Sequence, residues 1–126
     1  MFRTIEMTVP PKTTVIFPIT ETVKLSPGTL SLVRFVPPPG PSWEVYARLL
    51  YREFQLIPRE EGEWIPLEKY AVEIRPNWSA WDGTYFVDVE MCSPQARYSH
   101  QIIVELEVEE GVTMRSLLAK LIGIGR

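Results

Sequence analysis

Residues 100–109 read His-Gln-Ile-Ile-Val-Glu-Leu-Glu-Val-Glu, and this stretch decides the fold class. Apolar side chains recur at every second position from Ile102 to Val108, and polar side chains fill most of the positions between them. A period of two is typical of a β-strand with one buried face and one solvated face. The stretch therefore predicts a strand in a sheet that covers a hydrophobic core.

The same pattern recurs along most of the chain. Further segments predicted as strands are 5–9, 13–19, 29–36, 43–54, 64–67, 69–75 and 84–91. A helix stays an alternative for 43–54, because no glycine or proline interrupts it. Segments rich in proline, glycine and polar residues separate the strands, at about the 8–12-residue spacing of sandwich and barrel folds. We expect an all-β fold: a single β-sandwich or jelly roll of about eight strands, formed by residues 1–110.

Length, charge and composition exclude several classes of protein. The chain has 126 residues, the size of one domain, and a formal net charge of -3, which does not favour nucleic acid. One cysteine cannot form an internal disulfide, and one histidine excludes any site that needs two. No segment approaches the ~20 apolar residues of a membrane span, and residues 1–10 lack the apolar core of a secretion signal. We expect neither a nucleic-acid partner nor a membrane partner.

The last residues, 111–126, follow a different pattern. Gly111 ends the alternation, Thr113 is a suitable helix N-cap residue, and Gly123 is a suitable helix end. Apolar residues between them recur at the spacing of one helix face: Met114, Leu117, Leu118, Leu121 and Ile122. The segment predicts a short C-terminal amphipathic helix, or tail, beyond the β-sandwich domain.

Charge separates at the same point of the sequence. All 16 acidic residues precede Gly111, whereas Arg115, Lys120 and Arg126 give the tail a charge of +3. A helix of about ten residues is marginally stable alone in water, so its apolar face needs a surface. Two alternatives stay open: the helix packs on its own sandwich, or it docks on a neighbouring subunit or another protein. In the second case its five apolar residues are the partner-docking residues.

Cys92 and His100 are the one pair that suggests nucleophilic catalysis, because a thiol nucleophile needs a neighbouring base. No recognised local signature surrounds either residue, and no Gly-x-Ser-x-Gly motif occurs in the chain. We expect a buried, unreactive Cys92 and a His100 that bonds a loop at the end of its strand. The prediction is a protein without catalytic residues, metal ligands or cofactor, and not an enzyme.

Aromatic residues raise a different possibility. The chain contains four tryptophans: Trp43, Trp64, Trp78 and Trp81. Trp78 and Trp81 could form a flat platform for a sugar, and Asn77 and Asp82 beside them could bond its hydroxyl groups. Aromatic side chains also dominate cores and protein interfaces. A carbohydrate-binding module is therefore the alternative function.

Six short segments carry a resemblance to known proteins: Thr8-Val9-Pro10, Thr13 to Pro18, Val33 to Pro37, Gln55 to Pro58, Gly62-Glu63-Trp64 and Tyr98 to Val104. Together they resemble a group of small β-sandwich proteins encoded in the genomes of tailed phages and related viruses. The resemblance spans about residues 5–109 and leaves out the C-terminal helix. It implies a structural or accessory role in a virion, and it assigns no catalytic residues to this chain.

Together these observations predict a non-enzymatic assembly protein. The resemblance makes it a virion component, such as a minor capsid, decoration or tail protein. Its partners would be protein subunits, either further copies or other virion proteins, in an oligomer or a large assembly. We expect it in the virion, or in the host cytoplasm before assembly.

Overall fold

The computed structural model describes residues 1–38, 44–67, 70–80 and 83–110. Within these ranges the chain forms two five-stranded antiparallel sheets, which confirms that the fold is all-β. The strands in chain order are β1 (Phe2–Val9), β2 (Ile19–Leu25), β3 (Gly28–Val36), β4 (Val45–Tyr51), β5 (Phe54–Ile57), β6 (Ile65–Leu67), β7 (Val72–Ile74), β8 (Trp78–Ala80), β9 (Tyr85–Cys92) and β10 (His100–Glu109).

Each sheet has four strands in a row and a fifth strand that pairs with the third of them. The first has the order β1-β10-β3-β7, and β8 also pairs with β3. The second has the order β2-β9-β4-β5, and β6 also pairs with β4. Buried side chains from both sheets form one hydrophobic core, which is the arrangement expected of a sandwich.

Alternation along the strands explains how the core forms. In β10 the apolar side chains at alternate positions, from Ile102 to Val108, are all buried, whereas Gln101 and Glu107 on the opposite face are exposed. Ile103 breaks the alternation and is partly exposed on the outer face. Among the described residues, Phe35 of β3 is the largest fully buried side chain, and it lies opposite Val104 in the register between β3 and β10. The sequence pattern therefore predicts β10 from its first residue to its last.

The predicted strand at 13–19 is wrong. The segment between β1 and β2 is a loop, and its one sheet-like contact is an isolated bridge between Thr13 and Ser93. Pro10, Pro11 and Pro18 lack the amide hydrogens that a sheet ladder requires. The second strand lies later, at Ile19–Leu25, in a segment whose threonines and charged residues hide the alternation.

Residues 77–83 are rich in turn-forming residues, and the sequence predicts a loop there, which is also partly wrong. Residues Trp78–Ala80 form β8, which pairs with Gly28, Thr29 and Leu30 at the start of β3. A three-residue strand is too short to show a periodic pattern. Its pairing is decided by β3, about fifty residues earlier in the chain.

The strand registers define two ends of the molecule. At the first end, which we call the loop end, β1 and β9 finish and β2, β4 and β10 begin. At the opposite end, which we call the aromatic end, β2 and β4 finish and β3 and β9 begin. Hydrogen bonds tie the aromatic end together, because Met1 pairs with Val108 and the Ser26 hydroxyl donates to Glu110.

Some of the sequence predictions lie outside the described residues. They include the C-terminal helix at 111–126 and the starts of the predicted strands at 43–54 and 69–75. Among the described residues, no helix is long and apolar enough to cross a membrane.

Candidate binding surfaces

The β1–β2 loop, residues 10–18, presents three consecutive apolar side chains to solvent. Ile16 is 81% exposed, Phe17 is 80% exposed and Val15 is 48% exposed. We call Val15, Ile16 and Phe17 the apolar tip. Contiguous exposed apolar residues are unusual on a monomer and mark contact surfaces.

Hydrogen bonds hold the β1–β2 loop in shape. At its base, the buried Ser93 donates its backbone amide to Thr13 O at 2.9 Å and its hydroxyl to Pro10 O at 2.6 Å. The Thr13 hydroxyl also donates to Pro10 O, at 2.8 Å. Near the apolar tip, the Phe17 amide donates to Thr14 Oγ1 at 3.1 Å. The tip is therefore ordered before any partner arrives.

Two further exposed aromatic side chains lie at the loop end. Tyr98 precedes β10, and Tyr70 precedes β7, whose first residue pairs with Phe35 near the finish of β3. Tyr98 is 74% exposed and Tyr70 is 75% exposed. The loop end therefore carries exposed apolar area on three separate connections between strands.

The aromatic end contains a cluster of three rings that joins the sheets. Trp78 of the first sheet lies between Tyr51 and Tyr85 of the second, with ring centroids 4.5 Å and 5.3 Å away. The Tyr51 and Tyr85 rings meet edge to face at 6.2 Å. Tyr85 is buried, and its hydroxyl has no hydrogen-bond partner among the described residues. Burial also raises the Tyr85 pKa, so the hydroxyl stays protonated.

Two open cavities flank Trp78. One, of about 360 Å³, lies between β5 and Trp78, with Phe54, Arg59 and Asn77 in its wall. The other, of about 510 Å³, lies towards β9 and is lined by Arg52 and Ser79 among others. Each cavity combines an aromatic wall with an arginine, a combination that suits a small polar ligand with an apolar face.

The predicted sugar platform is described in part. Trp78 is half-buried, and Asn77 beside it is exposed, with a φ of 50° that asparagine tolerates better than most residues. Trp81 and Asp82 lie outside the described residues, so the joint platform stays a prediction. Sequence reasoning missed Tyr51 and Tyr85, because their approach to Trp78 depends on how the two sheets face each other.

Cys92 and His100 have separate surroundings. Cys92 is 1% exposed, and burial raises the pKa of its thiol, although the charge of Arg48 lowers it in part. A buried, protonated thiol is a poor nucleophile. His100 Nε2 lies 2.9 Å from Glu44 Oε2, a polar contact at the beginning of β10. This geometry favours structural roles for both residues.

Two arginines on the outer faces of the sheets form ion pairs with acidic side chains. Arg48 lies 2.6 Å from Glu90, and its guanidinium is 4.2 Å from the centroid of the Trp64 ring. On the other sheet, Arg34 Nη1 lies 3.4 Å from Glu105, and its Nε lies 3.5 Å from Glu73 without forming a hydrogen bond. The Trp64 ring therefore packs against the ion pair of Arg48 and Glu90.

The predicted docking residues of the tail, Met114, Leu117, Leu118, Leu121 and Ile122, lie outside the described residues. The last described residue is Glu110, at the aromatic end. Within the described ranges, no group of three or more histidine, cysteine or acidic side chains could hold a metal ion.

Comparison with known proteins identifies no family. No protein-family model matches the sequence, and no curated protein matches it. Among solved structures, the crystal structure of FLHE aligns with 82% of this chain and 96% of that chain, at 13% sequence identity and a TM-score of 0.29. A similarity at this level carries no argument about function.

Proposed function

We propose that this chain is a non-enzymatic assembly protein that docks on neighbouring protein subunits, its own copies among them. The observation that carries the proposal is the apolar tip, Val15 to Phe17, held out from the loop end on an ordered loop. Burying a large apolar side chain contributes about 1.5–3 kcal/mol, so three such side chains favour association strongly. Because the β1–β2 loop is already ordered, docking loses little conformational entropy.

The strand order supports a jelly roll as the finer description of the fold. β5 and β6 share one side of β4, and β7 and β8 share one side of β3. If each of these pairs occupies a single strand position, the sheets have the orders 1-8-3-6 and 2-7-4-5. Double-sheet jelly rolls occur in viral capsid domains and also in lectin domains.

A virion component is the finer form of the proposal. Jelly-roll topology is compatible with it, and the resemblance to small phage sandwich proteins favours it over other assemblies. Fold alone does not decide function. The proposal assigns no catalytic role to Cys92 or His100, since the thiol is buried and the imidazole bonds Glu44. The tail residues Met114 to Ile122 remain proposed as a second docking element.

The double substitution Ile16→Ser, Phe17→Ser tests the proposal. Both side chains are exposed, so we expect the melting temperature to change little and association to weaken at least tenfold in analytical ultracentrifugation. Phe86→Ser is the matched control, because Phe86 is exposed on the outer face of the second sheet, away from the loop end. A large fall in melting temperature would show that the tip packs within its own fold. If every oligomer of the wild-type chain survives the double substitution, the proposal loses its main support.

Carbohydrate binding is the second candidate, favoured by the half-exposed Trp78 between two cavities. A glycan array screened with the wild-type chain tests it directly. If the module binds sugars, Asn77→Ala should weaken binding without unfolding, because the Asn77 side chain is exposed. Trp78→Phe should also weaken binding while it retains a ring against Tyr51. Absence of binding to every glycan would exclude this candidate.

A further inference from the structure

The free edges of the two sheets differ in length and composition. β1 is eight residues long and pairs only with β10 among the described residues, in an unbroken register of eight pairs. β5, β6, β7 and β8, on the opposite edges, have only three or four residues each. β2 follows Pro18 and carries Lys24. Short length, proline and charged side chains, lysine above all, are the usual devices that block edge pairing. β1 is eight residues long, has no lysine and no internal proline, and carries the charges of Arg3 and Glu6 alone.

The hydrogen bonds of Met1 show which backbone groups of β1 face outward. The Met1 amino group donates to Val108 O at 2.8 Å, and Val108 N donates to Met1 O at 2.8 Å. Bonded and non-bonded pairs alternate in an antiparallel ladder, so Arg3, Ile5 and Met7 also bond to β10. The amides and carbonyls of the intervening residues therefore face the open edge: Phe2, Thr4, Glu6 and Thr8. All four of these residues are exposed.

β1 is complementary to a second copy of itself. In an antiparallel pair with a two-fold axis at Ile5, Thr4 lies opposite Glu6 of the other copy and Phe2 lies opposite Thr8. This register engages every outward-facing residue and forms about eight main-chain hydrogen bonds. On the inner face Ile5, which is partly buried against the core, meets Ile5 of the other copy.

The other registers are poorer. A shift of two residues in one direction places Glu6 opposite Glu6, and like charges directly opposite each other are unfavourable. A shift of two residues in the other direction leaves Thr8 without a partner. A shift of one residue would place exposed side chains opposite core side chains.

We propose that two copies of this chain pair through β1, antiparallel and centred on Ile5, to form a two-fold dimer with one continuous ten-stranded sheet. The interface is isologous and closed, so it forms dimers and not filaments. It lies on a different surface from the apolar tip, and its failure would leave the docking role of the β1–β2 loop intact.

A disulfide at the two-fold axis tests the register. Ile5 faces its own copy in a non-hydrogen-bonded pair, where Cα atoms are about 4.5 Å apart, within the range of a disulfide. We expect Ile5→Cys to form a covalent dimer under mild oxidation, seen on a non-reducing gel. Arg3→Cys is the control, since the exposed Arg3 would lie opposite Met7 of the other copy, and the native Cys92 is too buried to compete. A yield no higher for Ile5→Cys than for Arg3→Cys would overturn the register.

Proline at Glu6 tests the pairing without a new cysteine. The Glu6 amide faces the open edge, so its loss leaves the ladder between β1 and β10 intact, and proline is tolerated at such edge positions. We expect Glu6→Pro to raise the dimer dissociation constant at least tenfold in sedimentation experiments and to leave the monomer folded by circular dichroism. A dimer of unchanged stability in a folded Glu6→Pro variant would refute the proposal.

Discussion

Replacement of Gly28 by alanine should destabilise the protein by about 3 kcal/mol or more, because steric strain and overpacking act together. Gly28 begins β3 with a φ of 151°, a backbone conformation that residues other than glycine rarely adopt. An added Cβ would collide with the main-chain carbonyl of Glu109 and would lie 3.0 Å from Val108 Cγ1. The carbonyl belongs to the β3–β10 ladder and cannot move without separating the two central strands of the first sheet.

Gly62→Ala is the matched control for this prediction. Gly62 also has a positive φ, of 85°, but nothing lies within 4 Å of an added Cβ. The backbone conformation alone should cost about 1–2 kcal/mol. Guanidinium unfolding of both variants measures the difference. Equal losses would contradict the claim that the close approach of β10 requires glycine at position 28.

Gln55→Glu should have the second large effect on stability. The substitution keeps nearly the same side-chain volume, so its cost comes from replacing one buried amide group with a carboxyl group. The side-chain amide nitrogen of Gln55 lies 2.8 Å from Pro58 O, 2.9 Å from Glu60 O and 3.0 Å from Glu63 O. The Gly62 amide donates to its oxygen at 3.2 Å. One side chain thus organises the whole turn after β5. A carboxylate at position 55 would face three carbonyl oxygens without the N–H groups that the glutamine amide donates to them, which costs several kcal/mol.

The Gln55→Glu effect should depend on pH. Burial and the carbonyls favour the protonated acid in the folded state, so its pKa would lie above the unfolded value of about 4.3. The folded variant then holds a proton that the unfolded chain releases, and stability falls as pH rises above that value. Gln101→Glu makes the same chemical change at an exposed position and should alter stability by about 0.5 kcal/mol or less. A Gln55→Glu loss that does not grow with pH would contradict this explanation.

The long strands could be predicted from sequence, because their alternation reflects burial. The predicted strand at 29–36 is observed as Gly28–Val36, and the predicted strand at 84–91 is observed as Tyr85–Cys92. In each case one face enters the shared core and the other meets solvent or an ion pair. Local pattern and global packing agree in these segments, and the first and last residues of the strands follow from that agreement.

Shorter and more polar strands could not be predicted, because their partners decide them. β8 exists because the start of β3 offers it a free edge. β2 has exposed threonines such as Thr22, whose hydroxyl bonds Asp88 across the strands at 2.6 Å. Such contacts join residues far apart in sequence and leave no periodic signal.

The apolar tip shows the opposite error, because the sequence predicts a strand where the structure has a loop. Its β-branched and aromatic residues have high strand propensity, which indicated a strand at 13–19. Propensity records how well a side chain packs on a sheet and takes no account of whether a neighbouring strand is present. The prolines on both sides and the bond from Phe17 N to Thr14 Oγ1 keep the segment out of the ladder. The same residues form an exposed surface in place of the predicted strand.

Native mass spectrometry of the full chain beside the Ile16→Ser, Phe17→Ser variant tests the central claim most directly. If the protein assembles by docking its apolar tip on neighbouring subunits, the wild-type chain should form oligomers that the folded variant fails to form. The same distribution of monomers and oligomers for the two proteins, whether both are monomeric or both form the same oligomers, would contradict the claim.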